Sequence, residues 1–127
     1  LMVASIACVV QQDLGEVVTD CETISFTLLG EVDHKWQANV KSGIEYEMTL
    51  FKVDSDHLPT QIAMNVIEEQ TDIAEELVID DTTIKTRFTP SSGKVSIVVY
   101  SKIGENQQDL GTWALQIQPV SQGNCTQ

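Results

Sequence analysis

The sequence predicts an all-β protein: an antiparallel β-sandwich, jelly-roll-like, with a protruding or exchanged N-terminal strand. Apolar and polar residues alternate with a period of two in segment after segment, the pattern of strands with one buried and one wet face. Turns such as Lys41-Ser42-Gly43 and Pro90-Ser91-Ser92-Gly93 separate these segments. The third observation is an uncharged apolar opening, LMVASIACVV, on a chain that is otherwise strongly acidic.

Taken in order, the opening run starts at Leu1 rather than Met, so a processed end or a cut is expected. It has the length of a signal-peptide core but no basic segment before it, so a strand is the better reading. Thr23–Leu29 alternates with Ile24, Phe26 and Leu28 facing inward. Residues 34–40 place Trp36, Ala38 and Val40 on one face, with His34 read as a surface residue. Residues 44–51 alternate again, with Ile44, Tyr46, Met48 and Leu50 inward. A strand is expected over 61–67, followed by an acidic loop or a single helical turn; one amphipathic helix over 62–77 is the competing reading. Ile84, Thr86 and Phe88 share a face over 83–89, and Lys94–Ser101 reads as a central strand. A polar loop over 104–111 leads to a closing strand over 111–117.

A chain of 127 residues suffices for one domain with a hydrophobic core. Lys plus Arg is 7 against 19 Asp plus Glu, a net charge of -12. That balance excludes a nucleic-acid surface, which needs clustered cations, and an anionic membrane surface likewise. It fits an extracellular or cell-surface protein kept in solution by its carboxylates. No run of about 20 apolar residues is present, so no membrane span is expected. Cys8, Cys21 and Cys125 form no Cys-x-x-Cys pair, which leaves one disulfide plus an odd thiol, or a bond between subunits. The preferred intrachain pair is Cys21–Cys125, with Cys8 left over. Asn124-Cys125-Thr126 is a glycosylation sequon.

From about residue 13 to 119 the order of features resembles the bacterial pre-peptidase C-terminal (PPC) domain family. Leu14-Gly15-Glu16-Val17 is similar to that family's opening strand. Asp33-His34-Lys35-Trp36, followed by Val40-Lys41-Ser42-Gly43-Ile44-Glu45-Tyr46, resembles its centre. Phe88-Thr89-Pro90-Ser91-Ser92-Gly93-Lys94-Val95 resembles its turn before a valine-rich strand, and Gly111-Thr112-Trp113-Ala114-Leu115 its final strand, with Trp113 where a Tyr is usual. The resemblance implies a small sandwich module of the kind attached to secreted enzymes. The chain departs from the family at Asp54-Ser55-Asp56-His57-Leu58-Pro59, where an acidic strand is common.

Catalysis finds little footing, so no enzyme is expected. There is no Gly-x-Ser-x-Gly elbow, and only His34 and His57 could act as bases. Asp54 and Asp56, with His57 beside them, form the best metal-like group, with calcium as the cation of choice. They lack the glycine and distal glutamate of a calcium loop, so a polar turn is the simpler reading. The acidic residues from Glu68 to Asp81 read as a solvated face. Trp36 and Trp113 are sugar-stacking candidates but suit a sandwich core better.

The leading functional expectation is an extracellular structural subunit that self-assembles, as a homo-oligomer or filament. Residues 1–12 would be the assembly strand and connector, 13–120 the sandwich, and 121–127 a polar tail. An extended strand can complete a neighbour's sheet, its backbone supplying hydrogen bonds and alternate side chains filling a groove. Head-to-tail donation generates a filament unless the rotation closes. Met2, Ala4, Ile6, Cys8 and Val10 form the larger alternate set and would fill the acceptor groove. The other expectation is a monomeric secreted accessory module that binds polysaccharide, matrix protein or calcium.

Overall fold

The expected alternation becomes ten strands in a computed structural model, which describes residues 10–122. They are β1 (Val10–Val17), β2 (Thr23–Leu29), β3 (Val32–Asn39), β4 (Tyr46–Asp54), β5 (Ile62–Glu68), β6 (Thr71–Asp72), β7 (Val78–Ile79), β8 (Thr83–Phe88), β9 (Lys94–Ser101) and β10 (Asp109–Pro119). Two five-stranded sheets result, ordered β1-β3-β9-β5-β6 and β2-β10-β4-β8-β7. All pairings are antiparallel except β1 with β3, which is parallel. The molecule is a β-sandwich, and its inner faces hold Leu28, Trp36, Met48, Leu50, Ile62, Ile84, Phe88, Ile97, Trp113, Leu115 and Ile117 out of water. Each such side chain contributes about 1.5–3 kcal/mol relative to exposure.

Three details depart from the expected pattern. Ile44 is exposed rather than inward, because β4 starts only at Tyr46. The preceding turn sets that start: Gly43 has a left-handed φ of 83°, and Ile44 N–H bonds back to Lys41 C=O. Tyr46 fixes the turn by accepting the Lys41 N–H at 2.9 Å on its hydroxyl while its ring stacks on Phe88. The single helical turn lies before β5 rather than after it, at Pro59–Gln61, where Pro59 sits without loss of a needed donor. The acidic segment beyond β5 instead forms the two-residue strands β6 and β7.

His34 is the largest correction. It is fully buried, not a surface residue. Nε2 accepts the Leu29 N–H at 3.1 Å, so Nδ1 carries the proton and donates to Val99 C=O at 2.9 Å. Leu29 belongs to one sheet and Val99 to the other, so the imidazole ties the two layers together, with Phe26 packed on its ring.

The connector expected at Gln11-Gln12-Asp13 is also different in kind. These residues pair with Asp33, His34 and Lys35 as part of β1, so the chain from Val10 on is already sheet. Met2, Ala4, Ile6, Cys8, Asn124 and Cys125 lie outside the described residues.

The β5–β6 hairpin closes on Glu69 and Gln70, both with left-handed φ (50° and 72°). A two-residue loop with both φ positive favours Asn-Gly, since other side chains crowd the backbone there. The double substitution Glu69→Asn, Gln70→Gly is therefore expected to stabilise the fold by about 1 kcal/mol. A chemical-denaturation midpoint that stays put or falls would refute this account of the turn.

Candidate functional site

One end of the sandwich gathers most of the structured loops. The Gly30-Glu31 corner, where the chain crosses from β2 to β3, packs against the 102–108 loop. Gly30 N–H bonds to Gln108 C=O, and Gln107 N–H returns to Gly30 C=O, both at 2.9 Å. Glu31 accepts the Asn106 N–H at 2.7 Å on its carboxylate, and its own carbonyl takes the Val10 N–H at 3.3 Å. The start of β1 is therefore anchored at this same end.

Ser101 is the node beneath these loops. Its buried hydroxyl oxygen accepts the N–H groups of Ile103 (3.2 Å) and Gly104 (2.9 Å). Both lone pairs being used, the hydroxyl proton goes to His57 Nε2, 2.8 Å away. Burial first, then the nearby Lys52 ammonium, hold the His57 pKa below its ordinary value, which keeps that nitrogen a free acceptor. With its oxygen saturated and buried, Ser101 is a structural tie rather than an open nucleophile.

Beside this node lies a cleft of about 420 Å³ lined by Asp54, Ser55, Asp56, His57, Asp109 and Gly111 among others. Ser55 closes its floor by donating to Leu110 C=O, and its oxygen accepts the His57 N–H at 3.0 Å. Gly111 is required here: its φ is 100°, and a Cβ would stand 2.6 Å from Asp54 C=O. Asp109, at the start of the adjoining strand β10, adds a third carboxylate to the cleft that holds the expected pair Asp54 and Asp56. Among the described residues no three His, Cys, Asp or Glu side chains converge closely enough to hold a metal ion.

The acidic stretch proves partly structural. The Glu68 carboxylate, buried at the end of β5, accepts the Ser92 hydroxyl at 2.6 Å and the backbone N–H groups of Ser91 and Ser92. These bonds, the Ser92 hydroxyl foremost, hold its pKa below the ordinary carboxylate value. Asp72 accepts the Val66 and Ala74 N–H groups, and Asp80 those of Thr82 and Thr83. Trp36 and Trp113 are both core residues, 1 % and 0 % exposed, and neither offers a ring face to a sugar. Cys21 sits half-buried at the foot of β2, its N–H bonded to Ile117 C=O and its Sγ 3.2 Å from Gln118 Oε1. Val10, the one described member of the expected plug set, is 44 % exposed.

Sequence reasoning missed Ser101, Asp109 and the partners of Glu68. Glu68 had a signal, because it continues the inward phase of Ile62, Met64 and Val66. Asp109 and Ser101 had none, since their neighbours come from distant strands.

The fold is that of a small PPC-like β-sandwich. No protein-family model matches the sequence, and no curated protein matches it either. The comparison with solved structures finds the pre-peptidase C-terminal domain of a collagenase from Bacillus anthracis. The likeness has a TM-score of 0.53 at 19% identity and covers 84% of this chain and 93% of that one. At this identity the shared property is the fold. Among the described residues no helix is long and apolar enough to cross a membrane.

Proposed function

We propose that the chain is an extracellular, non-catalytic structural subunit that self-assembles by donating residues 1–9 as a β-strand to a neighbouring copy. One observation carries this reading. Val10, the first described residue, pairs with Val32, the first residue of β3. The nine preceding residues are apolar or small and carry no charge, so water is a poor environment for them and another surface a good one. The exposed Val10 side chain fits the same picture, as the last of the alternate set Met2, Ala4, Ile6, Cys8 and Val10.

Two covalent features accompany it. Cys21 is hydrogen-bonded to the end of β10, a short stretch before Cys125, which supports a Cys21–Cys125 disulfide with Cys8 as the odd thiol on the donated segment. The Asn124 sequon adjoins that cysteine on the polar tail. Deleting residues 1–9 is expected to reduce the particle to a monomer, measured by sedimentation velocity, while the melting temperature shows that the sandwich survives. A full-length chain that is monomeric at high concentration overturns the reading.

The second reading, a monomeric accessory module for polysaccharide, matrix protein or calcium, is favoured by the likeness to a collagenase domain. The acidic cleft at Asp54, Asp56 and Asp109 would be its contact surface. A melting temperature that rises with calcium and falls with chelator would favour it, because a bound ion stabilises the native state by linkage.

A further inference from the structure

Resting on the reading of residues 1–9 as a donated strand, we infer that the acceptor is the free edge of β2 in a neighbouring copy of this chain. Among the described residues the sandwich has four edge strands: β1 and β6 in one sheet, β2 and β7 in the other. Unpaired edges invite other strands, and proteins blunt them with charge, proline, irregular register or brevity. β1 carries Asp13 and Glu16, and its register breaks between them around Gly15, whose φ is 88°. β6 and β7 are two residues each; β6 ends on Asp72, and β7 runs straight into Asp80 and Asp81.

β2 is the least blunted of the four: the one break in its register lies at its end, between Thr27 and Leu29, and the nearest charge is Glu22, just before its first residue. Its seven residues, TISFTLL, hold no charge and no proline, and Thr23 to Thr27 pair with β10 without interruption. Among the described residues no strand pairs with its outer side. Thr23, Ser25 and Thr27 are exposed and small enough to let another strand approach, while Ile24 and Leu29 are only half-buried and would be covered by one.

Charge selects the occupant. Two copies that each carry a net charge of -12 repel. The opening segment and the β2 edge are both uncharged, so pairing them brings no carboxylate onto a desolvated seam. Length agrees as well: at about 3.3 Å per residue the segment spans roughly 30 Å, more than β2 requires. Such pairing is heterologous, joining the start of one copy to the side of the next, and it propagates.

Cys8 lies on the donated segment and makes the register testable. Ser25→Cys and Thr27→Cys, each in the full chain, place a thiol on the exposed face of β2. Neighbouring strands bring paired residues within disulfide reach. Unlabelled and nitrogen-15-labelled copies are mixed, oxidised mildly and digested, and Gln12→Cys on β1 and Val78→Cys on β7 serve as probes of other edges. The expected product joins Cys8 of one isotopic copy to residue 25 or 27 of the other, and it disappears in Cys8→Ser. Protein that assembles through residues 1–9 yet joins Cys8 to residue 12 or 78, to residue 25 or 27 only within one chain, or to no probe, overturns the β2 acceptor. A chain that sediments identically with and without residues 1–9 overturns the donated strand itself.

Discussion

His34→Ala is expected to remove about 3–5 kcal/mol of stability, the largest loss from any single side chain outside the aromatic core. The substitution strands two backbone groups at once. Leu29 N–H loses its acceptor and Val99 C=O its donor, one in each sheet, with Val99 buried and Leu29 half-buried. It also opens a cavity beside Phe26, whose ring packs on the imidazole and edge-on against Trp36. A loss of that size is a large part of the 5–15 kcal/mol typical of a domain. His34→Gln retains one donor and one acceptor and is expected to lose less.

The same geometry makes the fold acid-sensitive. A second proton on His34 would place an N–H against the Leu29 N–H. Burial, the dominant cause, holds the native pKa below 6.5, outweighing the Val99 and Thr27 carbonyls and Asp33, which raise it. Unfolded His34 titrates near 6.5, so between the native and unfolded values the unfolded chain binds more protons. The stabilisation is complete above pH 6.5 and declines as pH falls through 6.5 towards the native pKa. His57 acts in the same direction. Denaturation midpoints measured from pH 7.5 to 5 should fall, and His34→Gln should flatten the decline. A wild-type midpoint independent of pH over that range would sink the assignment of a buried neutral imidazole.

His34 also shows where the sequence was legible and where it was misread. Its phase matches Val32, Trp36 and Ala38, all buried, so periodicity placed it inside. Residue type argued for the surface, and that argument fails because both ring nitrogens find backbone partners. Glu68 is the same case, an ionised group on an inward phase made tolerable by Ser91 and Ser92. Ile44 is the converse: right type, right phase, but outside the strand because the Gly43 turn delays β4. The long strands β4, β5, β8, β9 and β10 were readable because alternation over six or more residues is a strong local signal. β6 and β7 are too short to carry one. The parallel pairing of β1 with β3, and the cleft that unites Asp54 with Asp109, depend on chain crossovers that no local pattern encodes.

Those crossovers meet at one backbone contact, and Gly30→Ala is expected to break it, at about 3 kcal/mol. A Cβ on Gly30 would collide with Glu105 N and lie 2.8 Å from the Gly104 carbonyl carbon. These are backbone atoms, so no rotamer change relieves the clash; the 102–108 loop must move. Moving it strains the paired bonds between Gly30 and Gln107–Gln108, then the Gly104 N–H bond to Ser101, and through Ser101 the tie to His57. The acidic cleft, one wall of which is Gln108 to Gly111, loosens with it. Gly93→Ala is the matched control, since its Cβ would meet only Val40 C=O at 3.8 Å; it is expected to be neutral or slightly stabilising. Hydrogen exchange should quicken at the Asn106, Gln107 and Gln108 amides in Gly30→Ala alone. If both variants unfold at the same denaturant concentration, the corner does not hold this end together. The anchor of Val10 on Glu31, one residue from Gly30, would then need another explanation.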